Sequence, residues 1–167
     1  MFRTMRRKRQ ALDEKTCRKI LENGSAGVLA LYGDDGYPYA VPISYALEGD
    51  TLFFHSAKSG QKIDAIKRSD KASFCVIDQD EIVPARLTTY FRSVIAFGRV
   101  RIVEPASEKR RGIEALAKKY APDVPQEEMD REIDRTWKAL TVLALDVEHC
   151  TGKEAIELVE KKEGSCL

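Results

Sequence analysis

The pattern of apolar and polar positions divides the chain into strand-like and helical segments. Six segments are rich in β-branched and aromatic side chains, which favour strands; they are residues 26–32, 37–47, 51–55, 71–78, 88–103 and 140–147. Turn residues at positions 33–36 and 48–50 predict tight hairpins between the first three. Residues 79–87 mix acidic and apolar side chains around Pro84, which predicts a loop or an irregular sheet edge.

Apolar side chains recur at helical spacing in four other segments: residues 14–23, 60–68, 107–120 and 126–139. Asp13 is the predicted N-cap of the first helix, and Gly24 is its predicted end. Ser107 is the predicted cap of the third helix. Residues 155–159 fit a final short helix or strand.

Two prolines and one glycine lie inside strand-like segments. Pro38 and Pro42 lack the N–H that a central ladder needs, so we expect their strand at a sheet edge or with a bulge. Gly98 predicts a bulge or a bend in the longest strand-like segment. Strands do not alternate regularly with helices, which argues against a doubly wound parallel sheet. The pattern predicts a mainly β protein with helices, built on a closed or nearly closed antiparallel barrel.

Length and charge narrow the class of protein. The 167 residues suit one domain, and 28 basic against 27 acidic residues give a net charge of +1. This balance argues against a dedicated nucleic-acid or membrane-surface protein. No apolar run is long enough to span a bilayer, and none follows the basic N-terminus as a secretory signal requires. We therefore expect a cytoplasmic protein that binds neither nucleic acid nor membrane, although the basic residues 6–9 leave nucleic-acid contact as a third hypothesis.

The cysteines do not predict a metal site. The chain has four, Cys17, Cys75, Cys150 and Cys166, without a Cys-x-x-Cys pair. Cys17 and Cys75 lie in apolar patterns and are expected to be small buried side chains. His149 precedes Cys150, and neighbours in a strand point to opposite faces, which suits a shared metal poorly. Cys166 is expected to be a free thiol in the tail.

The segment 56–62 is the first candidate for ligand chemistry. It is small, hydroxylated and basic, and it connects a predicted strand to a predicted helix. A helix start offers unpaired N–H groups and a partial positive charge, and a lysine adds a full charge. We hypothesise a phosphate site here; a solvated connecting loop is the alternative.

Four segments, in their order along the chain, resemble a known family. They are Gly27-Val-Leu-Ala-Leu, Gly36-Tyr-Pro-Tyr-Ala-Val-Pro-Ile-Ser-Tyr45, Leu52-Phe-Phe-His-Ser-Ala57 with Gly60 and Lys62, and Phe91-Arg-Ser-Val-Ile-Ala-Phe-Gly-Arg-Val100. Together they resemble the FMN-binding split barrels of the pyridoxamine 5′-phosphate oxidase-like superfamily, and within it the nitroimidazole-resistance (Nim) branch. The resemblance covers residues 11–153, and its most specific part is His-Ser-Ala-x-x-Gly-x-Lys, from His55 to Lys62.

The resemblance implies a homodimer of six-stranded antiparallel split β-barrels with peripheral helices. It places one FMN in each of two symmetric clefts at the subunit interface. The flavin ring would lie along residues 41–45, the phosphate near the His55 loop, and the partner subunit would contribute residues 90–93. The implied cofactor-binding residues are Val41, Pro42, Ile43, Ser44, Tyr45, His55, Ser56, Ala57, Gly60, Lys62, Tyr90, Arg92 and Ser93.

Several of these residues have a plainer interpretation. His55 is the catalytic candidate beside the flavin, because Nim relatives carry a histidine there; a hydrogen-bonded structural histidine is the alternative. Arg92 could pair with phosphate or with local carboxylates, and Ser93 could be a ladder residue without a ligand. Tyr45 and Tyr90 fit packing better than catalysis. Trp137 or Lys153 could close the cleft, and His149 is expected to be structural.

The functional prediction is an FMN-dependent oxidoreductase, nitroreductase-like or flavin reductase-like, that reduces nitroaromatic compounds such as 5-nitroimidazoles. No Gly-x-Gly-x-x-Gly fingerprint is present, so a reduced nicotinamide (NAD(P)H) would dock transiently. The alternative is a non-catalytic sensor or carrier that binds flavin, and haem or the deazaflavin F420 could replace FMN. The predicted organisation is a basic arm at residues 1–12, an FMN-binding domain at 13–160 and a tail at 161–167.

Overall fold

One antiparallel sheet of seven strands, in the order β2-β1-β5-β6-β7-β4-β3, forms the centre of the molecule. The structure, a computed structural model, describes residues 2–164. The strands are β1 (Ala26–Tyr32), β2 (Pro38–Ser44), β3 (Ala46–Glu48), β4 (Thr51–Ser56), β5 (Lys71–Val83), β6 (Thr88–Ile102) and β7 (Thr141–Glu154). The helices are α1 (Glu14–Asn23), α2 (Gln61–Arg68), α3 (Ala106–Tyr120), α4 (Gln126–Thr136) and α5 (Ile156–Gly164). The predicted mainly β class with helices is confirmed.

The strand count differs from the expected six because one predicted strand is divided. The segment 37–47 splits at Tyr45 into β2, which pairs with β1, and β3, which pairs with β4. These consecutive strands form opposite edges of the sheet. The sheet therefore curls until its edges meet at Tyr45, and no ladder within residues 2–164 closes it there. The predicted edge position of the proline-bearing strand is confirmed.

Two strands extend beyond their predicted ends. β5 continues to Val83 through the segment expected to be a loop or an irregular sheet edge, with a register shift between Ile77 and Gln79, and it stays paired with β6. The segment is thus an irregular part of the sheet rather than a loop, because backbone hydrogen bonds hold this exposed two-stranded ribbon. β7 continues to Glu154. The predicted irregularity at Gly98 is confirmed, since the register shifts there and a Cβ would collide with the Asp146 carbonyl oxygen.

The helices agree with local capping signals in one case and not in another. The Asp13 carboxylate accepts the Thr16 N–H at 2.7 Å, which lowers the pKa of Asp13 and confirms the predicted start of α1. The predicted cap at Ser107 is wrong, because α3 begins one residue earlier, after Pro105, without a side-chain cap. α4 ends at Thr136, three residues before its predicted end. No helix in residues 2–164 combines the length and the apolar composition that crossing a bilayer requires.

The core lies between the curled sheet and helices α1 and α2. Leu29, Phe54, Phe74 and Leu143 are fully buried there, and Phe74 makes an edge-to-face contact with Phe54 at 5.1 Å between ring centroids. Cys17 is buried as predicted, whereas Cys75 is only half-buried. Cys166 lies outside the described residues.

Tyr120, the last residue of α3, ties that helix to the point where β2 becomes β3. Its hydroxyl accepts the Tyr45 N–H at 2.8 Å and lies 2.8 Å from the Tyr45 carbonyl oxygen and 2.5 Å from that of Ser25. We expect Tyr120→Phe to lower the free energy of unfolding by about 1–2 kcal/mol, because it leaves a backbone N–H without its partner. Urea denaturation measures this loss. Tyr37→Phe, which removes a hydroxyl from an exposed side chain, is the control, and equal stability of the two variants would contradict the assignment.

Candidate functional site

The loop between β4 and α2 forms the first part of the site. Gly60 precedes α2 with a φ of 120°, a conformation that suits glycine, and no side chain caps the helix. The first intrahelical bond runs from the Asp64 N–H to the Gly60 carbonyl oxygen at 3.1 Å. The three N–H groups before Asp64 are therefore directed out of the helix end, where a small anion can accept them.

A cavity of about 380 Å³, called the loop cavity below, lies over this helix end. Five of the residues implied by the resemblance line it: His55, Ser56, Ala57, Gly60 and Lys62. Tyr39, Ser59 and Gln61 also line it, although they are not among the residues predicted from the sequence. Ser59 and Gln61 lie inside the motif and were available from spacing alone. Tyr39 shares a face of β2 with Val41 and Ile43, but no sequence motif connects it to this loop.

Lys62 gives this cavity a positive charge. Its side chain is half-buried, and burial lowers its pKa below the ordinary lysine value. Within residues 2–164, no carboxylate lies at ion-pair distance from its ammonium group. A desolvated cation without a counter-ion is stabilised by an incoming anion, so both the charge and the helix end favour a phosphate group here.

His55 lies where this cavity meets a second one of about 920 Å³. It is in β4, opposite Val142 of β7, and its side chain is exposed. Among the described residues, the imidazole has no hydrogen-bond partner. The geometry therefore leaves its nitrogens free for a ligand, as the catalytic role requires. The second cavity, called the helix cavity below, is bounded by α3, α4 and Ser44 at the end of β2.

The β2 residues implied to contact the flavin ring lie on a free sheet edge. Val41 and Ile43 turn towards the core, Pro42 is exposed, and the strand pairs on one side only, with β1. Backbone polar groups on the other side remain available to a flat ring with its own donors and acceptors. Ser44 lines the second cavity, so β2 leads from the loop cavity at Tyr39 towards the helices.

Tyr45 follows this edge and lies outside β2. Its side chain is fully buried against Phe74, with 4.7 Å between ring centroids, and burial raises the pKa of its phenol. Its backbone N–H and carbonyl oxygen both contact the Tyr120 hydroxyl. The packing role considered from the sequence is the one that the structure shows.

Tyr90, Arg92 and Ser93 lie in β6, and the structure decides between the alternatives for Arg92. Its guanidinium donates to Asp78 at 3.0 Å and to Glu154 at 3.2 Å. Arg92 therefore pairs with carboxylates of its own chain. Ser93 faces Lys153 and Ile77 in the ladder.

These β6 residues are far from the His55 loop within one chain. Arg92 faces Glu154 and His55 faces Val142, so twelve residues of β7 separate the two positions. At about 3.3 Å per residue, the path along β7 is about 40 Å. Residues 90–93 therefore lie near the opposite end of β7 from the loop cavity.

Three aromatic and basic candidates have partners elsewhere. The Lys109 ammonium lies 4.2 Å from the Trp137 ring centroid, and the Lys153 ammonium lies 5.3 Å from that of Phe91. Neither Trp137 nor Lys153 lines the two cavities that meet at His55. His149 stacks on Phe2 at 4.4 Å, which is a structural contact.

Solved structures of other proteins share this fold. A candidate 5-nitroimidazole antibiotic resistance protein from Bacteroides thetaiotaomicron is 24% identical over 86% of each chain, with a TM-score of 0.73. The flavocytochrome Anf3 from Azotobacter vinelandii is 19% identical over 91% of this chain and 72% of its own, with a TM-score of 0.72. A FAD-binding protein from Mesorhizobium loti is 22% identical over 87% of this chain and 97% of its own, with a TM-score of 0.61.

These likenesses establish the fold, and a family model establishes the kinship. No curated protein matches the chain in sequence. The model described as pyridoxamine 5′-phosphate oxidase matches residues 13–154, which include all of β1 to β7. The seven-stranded sheet is thus the split barrel that the resemblance implied, with one strand more than expected. The chain belongs to the pyridoxamine 5′-phosphate oxidase family.

Proposed function

We propose that this protein is an FMN-dependent oxidoreductase that holds the cofactor phosphate in the loop cavity between β4 and α2. One observation carries the proposal: a helix end without a side-chain cap and the Lys62 ammonium, which has no ion-pair partner in residues 2–164, share one cavity beside the exposed His55. Ser56 and Ser59 add hydroxyl donors there. This is a donor set for a phosphate dianion, and it leaves no need for a metal.

The β2 edge provides the length that the rest of FMN needs. Tyr39 lines the loop cavity and Ser44 lines the helix cavity. The five residue steps from Tyr39 to Ser44 span about 17 Å of strand. The backbone of Val41, Pro42 and Ile43 would bind the ring edge between these ends. When bound, FMN supplies the electron chemistry, and the chain positions it and shields it.

The remaining contacts to the flavin come from a second copy of the chain in this proposal. Residues 90–93 lie about 40 Å along β7 from their own loop cavity, and we infer that a partner subunit brings its own residues 90–93 to that cavity. The β5–β6 ribbon that carries them also exposes Ile77, Ile82 and Leu87, with relative exposures of 66%, 74% and 96%. Large apolar side chains grouped on an exposed ribbon mark a protein contact. We infer a homodimer with two shared FMN sites.

The family and the names of related structures support a flavin rather than another cofactor. The chain belongs to the pyridoxamine 5′-phosphate oxidase family, and the structural relatives include a flavocytochrome and a FAD-binding protein. We propose FMN because the loop cavity offers one terminal phosphate site. The Nim-like motif and the B. thetaiotaomicron relative favour a nitroaromatic acceptor, such as a 5-nitroimidazole.

His55 has a defined task in this scheme. Its imidazole, which has no hydrogen-bond partner among the described residues, lies between the loop cavity and the helix cavity. There it can donate a hydrogen bond to the electron-accepting substrate beside the flavin. A reduced nicotinamide would dock transiently as the electron donor. Because that donor is a cytoplasmic metabolite, the proposal also places the protein in the cytoplasm.

A haem-binding carrier is the second candidate, and one observation favours it. An exposed histidine without a partner faces a cavity of about 920 Å³ with many apolar side chains, which is also a setting for haem ligation. The flavocytochrome relative gives this alternative a precedent within the fold. The two candidates predict different visible absorption spectra for the purified protein.

The visible spectrum of the protein as isolated tests the proposal. We expect flavin absorption bands, release of FMN identified by mass spectrometry, and oxidation of NADH or NADPH when a 5-nitroimidazole is added. A Soret band would support the haem carrier instead. Bound FMN without any turnover would support a flavin-binding module, and failure of added FMN to bind would refute both flavin functions.

A further inference from the structure

The helix cavity is a cleft between α3 and α4 that begins at His55. Its volume is about 920 Å³, at the upper end of the range for pockets that bury drug-sized ligands. His55 and Ser44 form its inner end. A ligand in this cleft would therefore reach the same imidazole that borders the phosphate loop, beside the end of the strand assigned to the flavin.

The walls of the cleft are apolar. They are formed by Ile113, Leu116, Ala117, Met129, Ile133 and Leu140. Ala117 lies in the last turn of α3 and Ala121 directly follows that helix, and their small side chains leave room where larger residues would fill the cleft. The width of the cleft therefore depends on these two alanines.

The rim of the cleft carries charges that cancel. Arg131, Arg135, Glu128 and Glu132 line it, so two positive groups face two negative groups. Arg135 pairs with Glu132 at 2.6 Å, and Arg131 lies 3.6 Å from Glu127. Each arginine is thus already matched by a carboxylate. The rim offers no net charge with which to attract an ionic ligand.

We propose that this cleft is the acceptor site and that its ligand is a bulky, uncharged, mainly apolar aromatic molecule whose reducible group points towards His55. The proposal rests on the proposed flavin function and names the substrate class for it. A single nitroimidazole ring would occupy a small part of the cleft. Fused or linked rings would fill it and bury apolar surface against α3 and α4, at about 25 cal/mol for each Å².

Binding to the flavin-free full-length protein tests the cleft separately from the chemistry. The probe is N-phenyl-1-naphthylamine, an uncharged dye whose fluorescence rises in apolar surroundings. We expect saturable binding to the wild type, at least tenfold weaker binding to Ala117→Phe, and unchanged binding to Ala106→Phe. The control makes the same substitution in α3 at an exposed position outside the cleft. Thermal denaturation of each flavin-free variant checks that it is folded, and Ala121→Phe fills the cleft from the residue after α3 if Ala117→Phe does not fold.

Kinetics with two nitro compounds tests the substrate class. We expect Ala117→Phe to raise the KM for 2-nitronaphthalene at least tenfold and to leave the KM for 4-nitrobenzoate, which is small and anionic, within twofold. Absence of dye binding to the wild type, or equal affinity of the wild type and the filled variants, would overturn the proposal. Either result leaves FMN binding unaffected, whereas failure of FMN to bind would refute the flavin function without changing the dye result.

Discussion

Ile82→Glu is expected to produce monomers that bind FMN at least 100-fold more weakly than the wild type. Ile82 is 74% exposed on the β5–β6 ribbon, where the proposed dimer would cover it. A carboxylate buried in an apolar contact without a partner costs several kcal/mol, enough to separate the subunits. Each FMN site would then lose the residues that the partner's ribbon supplies. A 100-fold loss corresponds to about 2.7 kcal/mol of binding free energy.

Sedimentation velocity and flavin fluorescence titration, performed on the same samples, measure the two effects. Ile82→Val is the matched control, because it keeps an apolar β-branched side chain and should remain a dimer with one FMN per chain. A variant that is monomeric but binds FMN with wild-type affinity would contradict the shared site. The phosphate cavity itself would remain intact in that case, since it lies within one chain.

Lys62→Ala is expected to weaken FMN binding about 10- to 100-fold, since a charge-assisted hydrogen bond contributes about 1.5–3 kcal/mol. Lys58→Ala is the matched control, because Lys58 is exposed on the same loop but does not line the cavity. Riboflavin, which has no phosphate, provides a second control and should bind the wild type and Lys62→Ala equally. Unchanged FMN affinity in Lys62→Ala would place the phosphate elsewhere.

The pH dependence of FMN binding provides a separate measurement on Lys62. Burial lowers the pKa of this side chain, so the free protein loses the charge at a lower pH than an ordinary lysine does. The phosphate favours the protonated amine. FMN affinity should therefore be complete below this pKa and fall as the pH rises through it. Lys62→Arg keeps its charge throughout this range and should not show the fall.

Local signals were sufficient for elements whose ends are set by neighbouring residues. Asp13 fixes the start of α1 through one side-chain bond, and the β1 segment is bounded by turn residues on both sides. The division at Tyr45 could not be predicted, because it depends on which strands β2 and β3 pair with. The extension of β5 was missed for a related reason: its exposed ribbon follows its partner β6 rather than an apolar pattern.

The candidate site shows the same division between local and distant causes. The loop from His55 to Lys62 is contiguous in sequence, so a motif was enough to bring its residues together. Tyr39 joins the cavity through the curl of the sheet, which spacing does not record. The resemblance placed Tyr45 in the site, but its side chain packs on Phe74 and its backbone bonds to Tyr120, and both partners are distant in the chain. The cleft between α3 and α4 depends on the angle between these helices, and the sequence of one helix alone does not determine that angle.

The hydrogen bonds of the Tyr120 hydroxyl bear on how the molecule would respond to a ligand. α3 forms one wall of the cleft, and its last residue, Tyr120, is hydrogen-bonded to the backbone of Tyr45, where the two edges of the sheet meet. β2, the strand proposed to bind the flavin, ends one residue before Tyr45. We therefore expect a ligand that displaces α3 to shift β2 as well, because the Tyr120 hydroxyl connects the end of α3 to the backbone of Tyr45.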